Sequence, residues 1–289
     1  MVWVLVFGGV VWGVSLLGSI RRPAAAGAAA AAGALLKLWP VVVVLGLRRR
    51  ALWRMSAVMA CVGVTVTVGL TALGPGAWSF LRFQSQRGLQ IESPAATPLL
   101  IDRLVNGGWT IVHRYGAEEL SGPAVSAVAR GCVAATVLGG AVLLVIWWRI
   151  RPPAVDLVLA AVLLALVTSR VLSPQYLVWA VAVASVCALD SRTTQRPVLG
   201  LVLATALVSQ VEFPFLYDRV ATGSWPGVIV LTVRNGMLLW ATVWSVALLC
   251  RHRSGTSREY TQLPKADGDR ERHAVTPDPL RLWATAARR

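Results

Sequence analysis

The stretch VDLVLAAVLLALVTSRVLSPQYLVWAVAVASVCAL, Val155–Leu189, decides the fold. It contains two apolar runs, Val155 to Leu172 and Tyr176 to Leu189, separated by Ser173-Pro174-Gln175-Tyr176, with Arg170 just upstream of the break. A bilayer obliges each spanning segment to satisfy its own backbone. A proline and three hydrogen-bonding side chains between two membrane-like runs therefore belong against a water-filled or substrate-filled cavity rather than against lipid.

Outward from this break, further apolar runs occupy Val2 to Ile20, Ala24 to Leu47, Met55 to Leu73, Val125 to Trp148, Val198 to Phe215 and Val228 to Cys250. Most reach, or nearly reach, the roughly 20 residues a bilayer requires. Hydrophobic residues make up 56% of the 289 positions and charged residues 14%, with a mean hydropathy of +0.64. These values exclude an ordinary water-soluble globular domain. The expected architecture is all-α and polytopic: about eight transmembrane helices over residues 1–250, one long extracytoplasmic loop at 74–124, and a disordered basic cytoplasmic tail at 251–289. The first run has no charged start and ends in Arg21-Arg22-Pro23 without a small-residue cleavage site, so it reads as a retained helix rather than a signal peptide. Cys61, Cys132, Cys187 and Cys250 all fall inside apolar runs, which argues against a disulfide framework and against a thiolate metal site.

The net charge of +15 is informative through its placement. Arg48, Arg49, Arg50 and Arg54 follow the second run, Arg149 and Arg151 the fourth, Arg192 and Arg196 the sixth, and Arg251, Arg253 and Arg258 the eighth. Alternate connections rich in arginine are expected to be cytoplasmic, which puts both termini inside; Arg21 and Arg22 run against the pattern. The opposite side receives 74–124, where Arg82, Arg87, Arg103 and Arg114 are balanced by Glu92, Asp102, Glu118 and Glu119. The tail lacks the interleaved basic and aromatic residues of single-strand binders, so no nucleic-acid partner is expected; its basic start suits anionic lipid headgroups.

Three polar constellations carry candidate chemistry. Residues 82–93 crowd Arg82, Arg87, three glutamines and Glu92 together, a density suited to phosphate and sugar hydroxyls, with arginine offering a planar fork of donors; a solvated loop without a ligand is the plain alternative. Arg170 with Ser173, Gln175 and Tyr176 falls on the same side of the membrane, although singly an arginine can snorkel and Tyr176 and Trp179 can join an aromatic belt. Lys37-Leu38-Trp39-Pro40 lies within the second run, where a lysine costs about 2.5 to 3.5 kcal/mol on insertion scales unless it snorkels, pairs or meets an anion. Either a tilted helix brings Lys37 to a headgroup, or Lys37 faces a lipid-linked phosphate. Asp156 and Glu212 lie near predicted helix ends and read as interfacial. His113, His252 and His273 are scattered, and no metal site, phosphate-binding glycine loop or nucleophile elbow is present in the sequence.

Lys37-Leu38-Trp39-Pro40, Arg87-Gly88-Leu89-Gln90-Ile91-Glu92-Ser93 and Ser173-Pro174-Gln175-Tyr176-Leu177-Val178-Trp179 together resemble glycosyltransferase family 87, an actinobacterial group of polytopic enzymes of the GT-C type. The resemblance spans roughly Val2 to Cys250. It implies transfer of a mannose-like hexose or a pentose from a polyprenyl-phosphate donor to a glycan or glycolipid acceptor on the outer face of the plasma membrane, in cell-envelope biosynthesis and without a cofactor or metal. By position it implies that Arg87, Gln90 and Glu92 belong to the outer substrate-binding region, that Arg170, Ser173, Gln175 and Tyr176 line the same cavity and bind substrate, and that Lys37 sits near the lipid phosphate; Glu92, the one acid within these motifs, is the default catalytic base. GT-C enzymes usually carry their catalytic carboxylate in the first outer loop, which here reads Arg21-Arg22-Pro23. The resemblance thus suggests a chain shortened at its amino terminus, the alternative being one that has lost the usual base. A lipid-linked sugar transporter and a non-catalytic membrane protein are the competing readings.

Overall fold

Helix formation follows the apolar runs, because a run of Leu, Val and Ala has nowhere to satisfy its backbone in lipid except within itself. A computed structural model describes residues 24, 25, 27, 28, 30, 31, 49–74 and 87–251. Residues 24, 25, 27, 28, 30 and 31 are helical, and the helices described from end to end are α1 (Arg49–Leu73), α2 (Thr97–Asn106), α3 (Val125–Arg149), α4 (Ala154–Val167), α5 (Leu177–Leu189), α6 (Arg196–Gln210), α7 (Tyr217–Ala221) and α8 (Trp225–Arg251). Among the described residues, four segments are long and apolar enough to cross a membrane: Trp53–Ala72, Val125–Arg149, Arg196–Phe215 and Trp225–Arg251. α4 and α5 are apolar but shorter. The chain has the make-up of a helical membrane protein. The first expected span, most of the second, Lys37, Arg82 and the tail beyond Arg251 lie outside the described residues.

α4 is the hub. Its residues Val155 to Leu163 are all buried, and it packs against α3, α5 and α8; a helix apolar on every side belongs in the interior of a bundle. α5, α6 and α8 complete a core built from Val158, Leu159, Val162, Trp179, Val183, Val202 and Leu238, to which Met55 of α1 also belongs. The outer faces of α1 and α3 expose Val64, Val68, Val137, Leu138 and Val145, as expected where the surrounding phase is lipid.

Two helix ends depart from the apolar pattern. The fifth run continues to Leu172, yet α4 stops at Val167. The Ser169 hydroxyl donates to the Val171 carbonyl (2.6 Å) and accepts from the Val171 amide (3.2 Å); local side-chain bonds of this kind compete with the helical ladder. Pro174 then opens a short 3₁₀ turn, Pro174–Tyr176, that leads into α5. After α6 the backbone widens into a π turn over Val211–Phe215, within which Phe213 is extended (φ −125°, ψ 122°). Phe213 precedes Pro214, whose ring disfavours helical geometry in the residue before it.

The segment expected as a loop is folded, and the all-α expectation needs correction. Residues 87–124 contain a three-stranded antiparallel sheet in the order β1 (Leu89–Gln90), β3 (Ala117–Ser121), β2 (Thr110–Arg114). Leu89 faces Leu120 across one pair and Ile111 faces Leu120 across the other. β2 and β3 are joined by Tyr115-Gly116, both at positive φ (52° and 71°), the geometry that matches the twist of a tight hairpin. Leu89, Ile91, Ala96, Leu100 and Leu120 pack with Val125 and Cys132 of α3, Val220 of α7, and Val228 and Leu231 of α8. This second apolar cluster fastens the small sheet and α2 onto one end of the bundle.

Candidate functional site

Residues 90–93 are threaded into that end by their own backbone. The Gln90 amide donates to the Arg170 carbonyl (3.0 Å), the Ile91 amide to the Glu118 carbonyl (3.0 Å), and the Ser93 amide to the Gln90 carbonyl (3.0 Å). Gln90, Ile91, Glu92 and Ser93 are all buried as a result. The strand-and-turn segment therefore meets the α4–α5 break directly, though 83 positions separate Gln90 from Ser173. The Gln90 Nε2 donates to Ser173 Oγ (3.2 Å) and also to Glu92 Oε2.

Glu92, 4% exposed, is the centre of the cluster. Burial raises its pKa first, the neighbouring Glu212 carboxyl raises it further, and Arg234 opposes both; the net effect pushes Glu92 from 4.5 up to about 8. The order is physical: a carboxylate loses water on burial, and a second carboxylate nearby penalises its charge again. Glu212 comes from the π turn and Arg234 from α8; both are 0% exposed. Arg234 Nη2 donates to Glu212 Oε1 (2.8 Å) and Arg234 Nε to Glu212 Oε2 (2.9 Å), a two-pronged contact in which the guanidinium fork matches the carboxylate. Asn235, next in sequence, donates from Nδ2 to Thr97 Oγ1 (2.8 Å) and to the Glu92 carbonyl (3.4 Å).

The cluster is incompletely satisfied among the described residues. Gln90 Oε1, Glu92 Oε1, Ser93 Oγ, Asn235 Oδ1 and Arg234 Nη1 are buried without a hydrogen-bond partner. Buried polar atoms are paired in the great majority of cases, so this concentration sets the end apart from the rest of the core.

The residues read from the sequence fall as follows. Gln90, Glu92, Ser173 and the Arg170 backbone are in direct contact through the bonds above. Tyr176 lies in the 3₁₀ turn, three residues after Ser173, with its ring stacked on Trp179 (4.7 Å between centroids, 9° between planes). Gln175 is half-buried in the same turn. Arg87 lies at the rim, where its guanidinium donates to the Tyr115 carbonyl (3.3 Å) at the hairpin tip. The adjacent Gly88 amide donates to Glu119 Oε2 (3.2 Å). Lys37 lies outside the described residues.

Two expectations are corrected. Glu212 and Asp156 sit near helix ends as expected, but both turn inward and are 0% exposed rather than interfacial. Glu212 is drawn in because the π turn rotates it toward Arg234. Asp156, in the first turn of α4, accepts from Thr193 Oγ1 (2.6 Å), the Thr194 amide (2.9 Å) and Thr194 Oγ1 (3.0 Å). Asp156 belongs to the other end of the bundle, in the first turn of α4, where α3 ends at Arg149, α6 begins at Arg196 and α8 ends at Arg251. Sequence reasoning missed the Glu212–Arg234 pair and Asn235. The available signal was an acid and a base, 22 positions apart, near the facing ends of two consecutive apolar runs.

Among the described residues no group of His, Cys, Asp and Glu is arranged to hold a metal ion. No family model, curated protein or solved structure matches the chain.

Proposed function

We propose that this chain is a membrane-embedded glycosyltransferase that moves a sugar, a mannose-like hexose or a pentose, from a polyprenyl-phosphate donor to a glycan or glycolipid acceptor at the extracytoplasmic face of the plasma membrane. The observation that carries this reading is the meeting of residues 87–93 with Arg170 and Ser173–Tyr176 at the end of the bundle opposite the arginine-rich connections. Those are the segments on which the family resemblance rests.

In the transfer, the acceptor hydroxyl oxygen attacks the anomeric carbon as the bond from that carbon to the phosphate oxygen breaks. The polyprenyl phosphate leaves with the electron pair, and the hydroxyl proton passes to the Glu92 carboxylate. General-base catalysis of this kind contributes about 10² to 10⁴ in rate. Arg87 and Arg170, with Lys37, supply positive charge for the phosphate, whose oxygens carry the charge that develops as it leaves. Gln90, Ser173, Gln175 and Tyr176 offer donors and acceptors for sugar hydroxyls. The polyprenyl chain needs no special pocket, since the bundle's outer faces are already apolar.

The test is incubation of membranes containing the full chain with labelled polyprenyl-phosphate sugars, scored for labelled glycolipid or glycan. Product that disappears in Arg87→Ala and Gln175→Ala at equal protein abundance is expected. Movement of intact labelled lipid across the membrane without a new glycosidic bond would replace the enzyme by a transporter, and no product with any carrier sugar would leave a non-catalytic protein.

A further inference from the structure

Around residues 90–93 the bonded and the unbonded side-chain atoms fall into a pattern. Gln90 Nε2 donates to Glu92 and to Ser173 Oγ (3.2 Å), and Asn235 Nδ2 donates to Thr97 Oγ1 (2.8 Å) and to the Glu92 carbonyl (3.4 Å). Both amide nitrogens are thus engaged twice, while Gln90 Oε1 and Asn235 Oδ1 accept nothing among the described residues. Arg234 shows the converse. Its Nε and Nη2 are held by Glu212, and Nη1, a donor, has no acceptor among the described residues. Ser93 Oγ, able both to donate and to accept, is likewise without a partner there. None of these four residues is more than 3% exposed. Gln90 and Ser93 belong to one short segment, Arg234 and Asn235 are consecutive on α8, and the bond from Asn235 to the Glu92 carbonyl joins the two.

We propose that Gln90, Ser93, Arg234 and Asn235 form an inner subsite for the ring hydroxyls of a neutral sugar, and that Glu212 serves it by fixing the guanidinium so that Nη1 is left for the ligand. Two acceptors, one donor and one hydroxyl call for a ligand that both donates and accepts. A sugar hydroxyl does both. An ionised phosphate accepts only, so it would pair with Arg234 and Ser93 and strand the two amide oxygens. A metal cation would suit the amide oxygens but meets the permanent charge of Arg234. An apolar chain would leave all four groups unpaired, and desolvated polar groups without partners are costly. The half-buried Ser173 and Gln175 border the set through the Gln90–Ser173 bond. The subsite deepens the glycosyltransferase reading and rests on it for the identity of the sugar; to the residues that touch substrate it adds Ser93, Arg234 and Asn235.

The experiment is saturation-transfer NMR on the purified full chain in lipid nanodiscs, titrated with the methyl glycosides of mannose and of arabinose, with thermal unfolding and sugar transfer measured on the same preparations. In wild type the ring protons of one of the two glycosides are expected to receive saturation. Ser93→Ala removes a hydroxyl that makes no bond in the fold, so the unfolding midpoint should stay equal or rise, while the glycoside binds about three- to tenfold more weakly, the share of one hydrogen bond. Ser245 Oγ, at the other end of α8, is also buried without a partner, and Ser245→Ala should leave binding as in wild type. Asn235→Ala weakens binding at least as much as Ser93→Ala; should it fail to fold, Ser93→Ala decides alone. No saturation of either glycoside, or equal affinity in Ser93→Ala, overturns the subsite and leaves the unpaired atoms to ordered water. A midpoint raised by inorganic phosphate in wild type but not in Ser93→Ala, with no response to the glycosides, overturns it in favour of an anion. Binding that depends on Ser93 in a protein that transfers no sugar would remove the glycosyltransferase reading and keep the subsite; transfer with an unaltered KM in Ser93→Ala would do the reverse.

Discussion

Asp156 and Glu92 are both buried acids in a helical membrane bundle, but they stand at opposite ends and in opposite chemical conditions. Asp156 is enclosed by three neutral donors from Thr193 and Thr194 and makes no ion pair among the described residues. It ties the start of α4 to the turn before α6. Glu92 feels the charge of a second carboxyl, Glu212, and of one arginine, Arg234, and it stands among buried polar atoms that lack partners among the described residues. A buried acid bonded through both oxygens is a joint, because each oxygen contributes to holding two elements together. An under-bonded acid beside a like charge stabilises nothing by itself, so its arrangement points to work on a ligand or a proton.

The largest effect that could break this contrast is expected from Glu212→Gln. It strands Arg234 as a buried unpaired charge, a loss of about 3 to 5 kcal/mol, and folded protein in membranes should fall sharply. Replacing both members, Glu212→Leu with Arg234→Met, should restore abundance, since buried pairs are commonly exchangeable for apolar residues of similar volume. Abundance equal to wild type in the single variant would show that Arg234 is not held as described. Asp156→Asn comes next. An amide nitrogen would face donors from Thr193 or Thr194, costing about 1 to 3 kcal/mol, with sugar transfer per folded molecule unchanged. Denaturation of detergent-solubilised protein measures the first quantity, and the labelled-sugar assay the second.

A further effect follows from pH. The folded chain holds the Glu92 proton up to about 8 against an ordinary value of 4.5. Its contribution to stability is full below the ordinary value and is lost as pH rises through the folded one. The midpoint of thermal unfolding should therefore decline with rising pH across that window in wild type and decline less in Glu92→Gln, where a neutral amide mimics the protonated acid. Identical pH profiles for the two proteins would remove Glu92 as the group responsible. Smallest of all is the stability change in Gln175→Ala. Its side chain makes no hydrogen bond among the described residues, so the change should stay within about 0.5 kcal/mol even though transfer is expected to be lost.

Much of this was legible in the residues. Apolar length announced the helices, and the polar break at Ser173–Tyr176 announced a meeting place for residues 87–93, because backbone and side-chain donors at membrane depth need partners. The Glu212–Arg234 pair was hidden for the opposite reason. Each residue lies within about two turns of the end of its apolar run, where a charge needs no partner from afar, and the π turn that contains Pro214 carries Glu212 inward. The sheet was hidden because β1 is two residues long, too short for alternation to register, and because its hairpin turns on Tyr115-Gly116 rather than on an Asn-Gly or Asp-Gly signal. The early end of α4 was masked by Val171 and Leu172, which prolong the apolar run past the residues where Ser169 takes over the backbone.

The most direct trial of the central claim sets the two acids against each other in one assay. Membranes with matched amounts of folded wild type, Glu92→Gln and Asp156→Asn are supplied with a labelled polyprenyl-phosphate sugar, and the rate of glycoside formation is read. Loss of product in Glu92→Gln with retention in Asp156→Asn is the predicted result; equal rates in the two variants would contradict the assignment of the chemistry to the Glu92 end.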